Sequence, residues 1–262
     1  MNLLPPPSLT KAPDPAVRLA GKVAVVTGGG RGIGAAVAIE LARQGASVAV
    51  GYRASKEKAE SLVSHLVHKG LTASAVELDT GSSNQLRAGF AAVAGRWGAL
   101  DILINNAGIS RMSRIEEVSE AMMEEMLAVN VKGVFFAIQE ALKYLRPGGR
   151  IVNIGSISSD YAPYAGNSLY VMTKSAVAGL TRGLARELAE RHVTINNVQP
   201  GRVETDLLRD ILGDKFDRLR SQTPLGRFGD ATEVAHMVAF LCGNEAAYVT
   251  GANLKVDGGV SV

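Results

Sequence analysis

At 262 residues, 47% of them hydrophobic and 29 of them glycine, the chain is long enough to bury a large core, and α/β folds of this length often stay undivided. Its net charge of +3 comes from 28 basic and 25 acidic residues whose signs interleave, as in Arg182-Gly-Leu-Ala-Arg186-Glu187. That pattern fits solvated helix faces and argues against a nucleic-acid surface. The single cysteine, Cys242, sits in an apolar stretch and excludes an intramolecular disulfide, while four scattered histidines offer no metal set.

Residues 1–18, opening Met1-Asn-Leu-Leu-Pro-Pro-Pro-Ser, read as a flexible proline-rich arm with neither a basic leader nor a continuous apolar core. No apolar run approaches membrane-spanning length, so a cytoplasmic protein without a membrane partner is expected. Residues 19–262 read as one domain. Lys22 to Thr27 is an apolar run suited to a strand buried on both faces. A glycine turn follows, then a helix from Ala35 to Gln44 stopped by Gly45. Ser47–Gly51 is a second strand, Ser55–Lys69 a polar helix and Thr72–Leu78 a third strand. Residues 83–97 form a helix and Asp101–Asn105 a fourth strand. One long helix is expected from Ser119 to Leu145, and Pro147-Gly-Gly149 then leads to a strand over Arg150–Ile154. The remaining elements are a helix over 169–191, a strand over Val193–Val198, a helix over 231–242 and a last strand over Asn253–Val256. Strict strand–helix alternation implies parallel pairing through right-handed crossovers, hence a single doubly wound α/β domain.

The turn Thr27-Gly28-Gly-Gly-Arg-Gly32-Ile-Gly34 departs from the common G-x-G-x-x-G spacing, but the same mechanics apply. Gly28 permits a sharp turn, Gly32 lets the backbone approach a pyrophosphate, and Gly34 lets the helix pack closely. Asn105-Asn106-Ala107-Gly108 follows the fourth strand, at a carboxyl end where ligands of open parallel sheets collect; it also reads as an ordinary asparagine turn. Ser156 follows the fifth strand, with Ser158 and Ser159 close enough to compete for its role. Tyr170 and Lys174 stand four residues apart, so phenol and ammonium share one helix face. A phenol titrates near 10, and a neighbouring ammonium favours its phenolate, which makes Tyr170 an acid–base candidate. A dinucleotide beside such a phenol implies hydride transfer to or from a carbonyl.

Taken in order, the glycine turn, Asn105-Asn106-Ala107-Gly108, Asn130, Ser156, Tyr170-x-x-x-Lys174 and Pro200-Gly201-Arg-Val203-Glu-Thr205 resemble the compact short-chain dehydrogenase/reductase family. The likeness is greatest to its 3-oxoacyl-(acyl-carrier-protein) reductase-like branch and covers about residues 20–262. It implies a Rossmann-type domain with a mostly parallel seven-stranded sheet. It also implies that Tyr170 is the proton donor in reduction, Ser156 orients the substrate carbonyl, and Asn130 holds a water in a proton relay. Lys174 would bind the nicotinamide ribose and depress the pKa of the tyrosine. The dinucleotide would meet Gly28, Gly30, Arg31, Gly32, Ile33 and Gly34 in the turn, and Asp79 with Thr80 at the adenine. Asn106, Ala107 and Gly108 would lie on its adenosine side, and Pro200, Gly201, Val203 and Thr205 at the nicotinamide. The gap from Ser156 to Tyr170 is one residue longer than in many members, and the proline-rich arm is extra.

The residues after the second strand select between dinucleotides. An NAD site would place Asp or Glu there to hold the ribose 2′-hydroxyl. Here the run is Val50-Gly-Tyr-Arg53-Ala-Ser55, without an acid until Glu57. Arg53, Ser55 and Arg31 offer a guanidinium fork, a hydroxyl and a second cation for a 2′-phosphate, so NADP(H) is expected. The substrate is expected to be a small-molecule carbonyl or alcohol, a 3-oxoacyl thioester or medium-sized ketone, with residues 206–228 covering the site. A non-catalytic nucleotide-binding protein would carry a broken catalytic set, which this chain does not. A nucleotide-sugar epimerase or dehydratase would need an added domain. Helices around 119–145 and 169–191 are apolar over more than one stripe, so a homotetramer is expected.

Overall fold

The computed structural model describes residues 17–162, 164–204 and 216–262. The expected arm lies outside them apart from its last two residues, of which Arg18 pairs with Glu245 at 3.4 Å. Thr205 and the first part of the expected cover, residues 206–215, also lie outside them.

Seven strands and eight α-helices make up most of the described chain. β1 (Val23–Val26) leads to α1 (Gly32–Arg43), β2 (Ser47–Tyr52), α2 (Lys56–His68), β3 (Ala73–Glu77), α3 (Ser83–Trp97) and β4 (Leu100–Asn105). α4 (Glu120–Leu127), α5 (Gly133–Ala141), β5 (Leu145–Ile154), α6 (Ser168–Glu187) and β6 (Thr194–Pro200) follow. α7 (Phe216–Ser221), α8 (Ala231–Cys242) and β7 (Asn253–Val256) close the chain. The strands form one sheet in the order β3-β2-β1-β4-β5-β6-β7, with every neighbouring pair parallel. The order reverses between β1 and β4, which opens a crevice at their carboxyl ends.

Side chains alternate across a strand, so one apolar run supplies two cores. Ala24 and Val26 of β1 join Ile102 and Ile104 of β4 in the layer under α1 and α8, while Val23, Val25 and Leu103 join the layer under α3, α5 and α6. This is why β1, and the centre of β4 over Ile102–Ile104, are apolar without alternation. Among the described residues no helix is long and apolar enough to cross a membrane.

The long helix expected over Ser119–Leu145 is not continuous. It breaks into α4, a π-helical segment over Ala128–Lys132, and α5. Gly133 explains where the break falls, since a Cβ there would meet the Thr80 carbonyl oxygen at 2.7 Å and the Thr80 side chain at 3.0 Å. The helix comes that close to the end of β3, and the widened turn aims Asn130 inward. α1 also begins three residues earlier than its apolar periodicity indicates, because its first turn is built from Gly32-Ile-Gly34.

Candidate active site

Loops leaving the carboxyl ends of β3, β2, β1, β4, β5 and β6 line one cleft of about 970 Å³. Five inter-strand steps at 4.7–4.9 Å give it a span on the order of 24 Å, long enough for an extended dinucleotide. In sheet order the walls are Asp79 and Thr80, then Arg53 and Ser55, then Gly28, Gly30, Arg31, Gly32 and Ile33. Next come Asn106, Ala107 and Gly108, then Ser156 with Tyr170 and Lys174, and finally Pro200, Gly201 and Val203. The structure thus gathers the expected site residues around one space, with three exceptions. Gly34 and Asn130 stand behind the wall, and Thr205 is outside the described residues.

The glycine turn is a cradle built from backbone. Gly28 and Gly32 have φ of +61° and +53°, a conformation that side chains rarely tolerate. Gly34 is needed for a different reason than close helix packing alone, because a Cβ on it would collide with the Asn106 amide and the Gly28 carbonyl. The Asn106 Nδ2 donates to Thr27 O and Gly28 O, both at 3.0 Å, and Thr27 Oγ1 accepts from the backbone N–H groups of Asn106 and Ala107 at 3.0 Å. The two crevice loops are therefore stitched together. The side-chain amide of Asn106, expected on the adenosine side, is spent on that stitch. The first turn of α1 has no capping side chain, since its N-cap Arg31 is extended and makes no cap hydrogen bond. Its amide hydrogens have no such partner and suit a phosphate.

On the other side of the crevice, Ser156 starts a short 3₁₀ turn and its Oγ accepts from Ser158 N at 3.1 Å. Gly155 before it lacks a Cβ, and Asn197 lies where that Cβ would be. Asn197 belongs to an in-register row with Asn105, Asn153 and Asn253 on β4 to β7. Within the row Asn105 Nδ2 donates to Asn153 Oδ1 at 2.9 Å and Asn197 Nδ2 to Asn253 Oδ1 at 2.7 Å. A buried polar row of this kind fixes register directly beneath the site. The competition among the serines is decided by partners. Ser159 Oγ donates to Ser156 O at 2.7 Å and accepts from Gln199 Nε2, while Ser156 lines the cleft together with Tyr170.

Tyr170 and Lys174 share one face of α6, and the Lys174 Nζ lies 5.7 Å from the centre of the Tyr170 ring. Lys174 is buried and donates to Ile154 O at 2.8 Å. Burial pulls its pKa from 10.5 down to about 8. The tyrosine departs from expectation: burial raises the phenol above its ordinary range, and the neighbouring Ser156 hydroxyl only partly offsets this. The reason is visible in the geometry, since the ammonium points to the Ile154 carbonyl and sits over the ring.

Asn130 is held on both sides of its amide. Its Oδ1 accepts from Ile109 N at 2.9 Å, and its Nδ2 donates to Ile109 O at 2.8 Å and to Thr173 Oγ1 at 3.2 Å. Both amide hydrogens are used to pin the loop after β4 to α6, leaving only an oxygen lone pair for a water.

Leu219 and Gln222 come from the stretch 206–228 expected to cover the site, and Ile109, Ser110 and Met112 after β4, Tyr164 and Asn167 before α6, and Arg202, none of them singled out by the sequence, add to the wall. Only Arg202 carried a readable signal, a charge inside the quoted Pro200-to-Thr205 motif.

Comparison with known proteins agrees with this geometry. Residues 28–261 match a family model described as enoyl-(acyl carrier protein) reductase. A 3-oxoacyl-(acyl-carrier-protein) reductase FabG of Staphylococcus aureus is 39% identical over 91% of this chain and 98% of its own length. Among solved structures, a short-chain dehydrogenase/reductase of Serratia marcescens is 44% identical with a TM-score of 0.91, covering 94% of this chain and 100% of the other. A short chain dehydrogenase of Burkholderia cenocepacia in complex with NADP is 42% identical, with a TM-score of 0.90 and the same coverage.

Proposed function

This chain belongs to the short-chain dehydrogenase/reductase family, and from that we propose that it is an NADP(H)-dependent oxidoreductase interconverting a small-molecule ketone and its secondary alcohol. The observation that carries the reading is Ser156 and Tyr170 lining one cleft, with the buried Lys174 on the same helix face as the phenol and its ammonium 5.7 Å from the ring centre. The relatives bound to NADP or NADPH support the choice of dinucleotide, as do Arg31, Arg53 and Ser55 along the adenosine half of the cleft.

The residues present fit the cofactor. The cradle of Gly28 and Gly32, the uncapped start of α1, and two arginines suit a pyrophosphate and a 2′-phosphate. Bound NADPH supplies the hydride. Tyr170, kept protonated at neutral pH by its raised pKa, delivers a proton to the carbonyl oxygen. Ser156 donates a hydrogen bond to the same oxygen and fixes its orientation. Lys174 holds the nicotinamide ribose and supplies positive charge beside the phenol. Asn130 acts by holding the Ile109 loop in place. A phenol and hydroxyl aimed at one oxygen suit reduction of C=O better than of C=C, which favours the ketoreductase relatives over the enoyl reductase description.

A 3-oxoacyl thioester or medium-sized ketone fits the apolar walls at Ile109, Met112 and Leu219. A homotetramer and a cytoplasmic location are proposed as well, the former because Phe135, Met172 and Phe240 are each at least 41% exposed on α5, α6 and α8. The test of the mechanism is Tyr170→Phe. Ketone-dependent NADPH oxidation should fall by roughly 10²–10⁴-fold, since only the proton donor is removed, while NADPH binding stays within a few-fold. Near-normal turnover would refute the assignment.

A further inference from the structure

The cleft carries a cation set apart from those assigned to the cofactor. Arg31 and Arg53 lie at the β1 and β2 end and Lys174 at the centre, whereas Arg202 follows β6, on the far side of Ser156. Its backbone is fixed from both sides, with Gly229 N donating to Arg202 O at 2.9 Å and Gly201 N to Val256 O at 3.0 Å. The half-buried guanidinium is held by neutral acceptors. Nη1 donates to Leu219 O at 2.7 Å, and Nη2 donates to Tyr164 Oη and to Gln222 Oε1. The Tyr164 ring lies beneath it at 5.7 Å. Among the described residues lining the cleft the one acid is Asp79, beyond β3 at the opposite edge.

We infer that Arg202 is the substrate-selecting residue of this cleft and that the preferred ketone carries a carboxylate. The inference rests on the ketoreductase reading above and deepens it. A guanidinium binds a carboxylate through two parallel, charge-assisted hydrogen bonds, each stronger than a bond to a hydroxyl or amide oxygen. Tyr164 Oη and Gln222 Oε1 are the neutral partners such an anion displaces at Nη2. Leu219 O keeps Nη1 in place and presents a helix-end carbonyl, where a cation is favoured. The cleft that holds Arg202 and the Ser156–Tyr170 pair is also lined by Ile109, Met112 and Leu219, so the preferred substrate is an aliphatic oxo acid with apolar carbons separating carbonyl from carboxylate.

The test compares a series of aliphatic oxo acids, with increasing distance between carbonyl and carboxylate, against their methyl esters. NADPH oxidation gives kcat/KM, and calorimetry on the NADP⁺ complex gives affinity without turnover. The wild-type protein should prefer the best acid over its ester by about tenfold or more, because a charged site rejects a partner that leaves it unpaired. Arg202→Gln should bring that ratio near one, with the loss in KM rather than kcat. Arg202→Lys should keep part of it, and Tyr164→Phe, which leaves the charge in place, should keep or raise it. NADPH affinity should stay within about threefold in all three variants. The inference is overturned by acid and ester treated alike by the wild type, by a preference retained in Arg202→Gln, or by NADPH binding weakened tenfold in that variant. Acid binding that depends on Arg202 without any ketone-dependent NADPH oxidation would sustain the inference and defeat the ketoreductase reading instead. Binding of neither acid nor ester defeats the inference.

Discussion

Replacing Lys174 by methionine should stabilise the cofactor-free protein near neutral pH while abolishing its activity. The ammonium is 6% exposed, and burial lowers its pKa from 10.5 to about 8. Its folded pKa therefore lies below its unfolded one, and the unfolded chain holds this proton more tightly. At pH 7 both states are protonated and the buried charge costs the fold about 3 kcal/mol. Between about pH 8 and 10.5 the folded amine loses its proton first, so this penalty is relieved as pH rises. Methionine keeps the unbranched length without the charge, but it leaves Ile154 O without its 2.8 Å donor, at a cost of about 1–2 kcal/mol. The variant should gain about 1 kcal/mol at pH 7, or roughly 2–4 °C in Tm for a chain of this size. Urea unfolding at pH 7 and at pH 10.5 reads the effect. The wild type should gain about 3 kcal/mol on the variant between the two values. Tyr170, whose raised pKa acts with the opposite sign, is present in both proteins and cancels to first order. A stability difference that does not move between pH 7 and 10.5 would show that Lys174 is not a strained, buried cation.

Arg53→Ala should raise the KM for NADPH about tenfold, equivalent to about 1.4 kcal/mol, and leave that for NADH nearly unchanged; steady-state kinetics with both dinucleotides checks this, and equal efficiency of the unmutated protein with both would refute the 2′-phosphate assignment. Light scattering at micromolar concentration should give four times the 27.5 kDa chain mass, and a monomer peak would count against burial of Phe135, Met172 and Phe240 between subunits.

The strands were legible because burial on both faces leaves a plain mark. Val23 to Val26 and Ile102 to Ile104 have no alternation to misread, and Asn253–Val256 and residues 231–242 were bounded correctly by their flanking turns. Motif positions were legible for a similar reason: strand ends are short and backbone-dominated, so Gly28, Ser156 and Asn106 fall where topology puts them. What escaped was long-range. The break at residues 128–132 depends on Gly133 meeting the end of β3, forty residues and more away in sequence. Apolar periodicity runs through that break without a sign of it. Arg202 stood within a recognised motif, but its surroundings come from the segments at Tyr164 and at Leu219 to Gln222, which no local pattern brings together.

Electrostatics escaped as well, and here the difference bears on direction. Proximity of ammonium and phenol in sequence implies a lowered tyrosine pKa, yet it says nothing about the water removed from both. In the folded chain, desolvation disfavours the charged form of each group, so the phenol moves up and the ammonium moves down. Reduction needs the phenol protonated at the start, and the raised pKa guarantees this across neutral pH. Alcohol oxidation needs a phenolate, which must form while Lys174 is still charged, and that overlap shrinks as the two values separate. Two neighbouring groups that each resist their charged form make a poor resting base and a reliable resting acid. In the cofactor-free chain any lowering of the Tyr170 pKa has to come from what binds beside it.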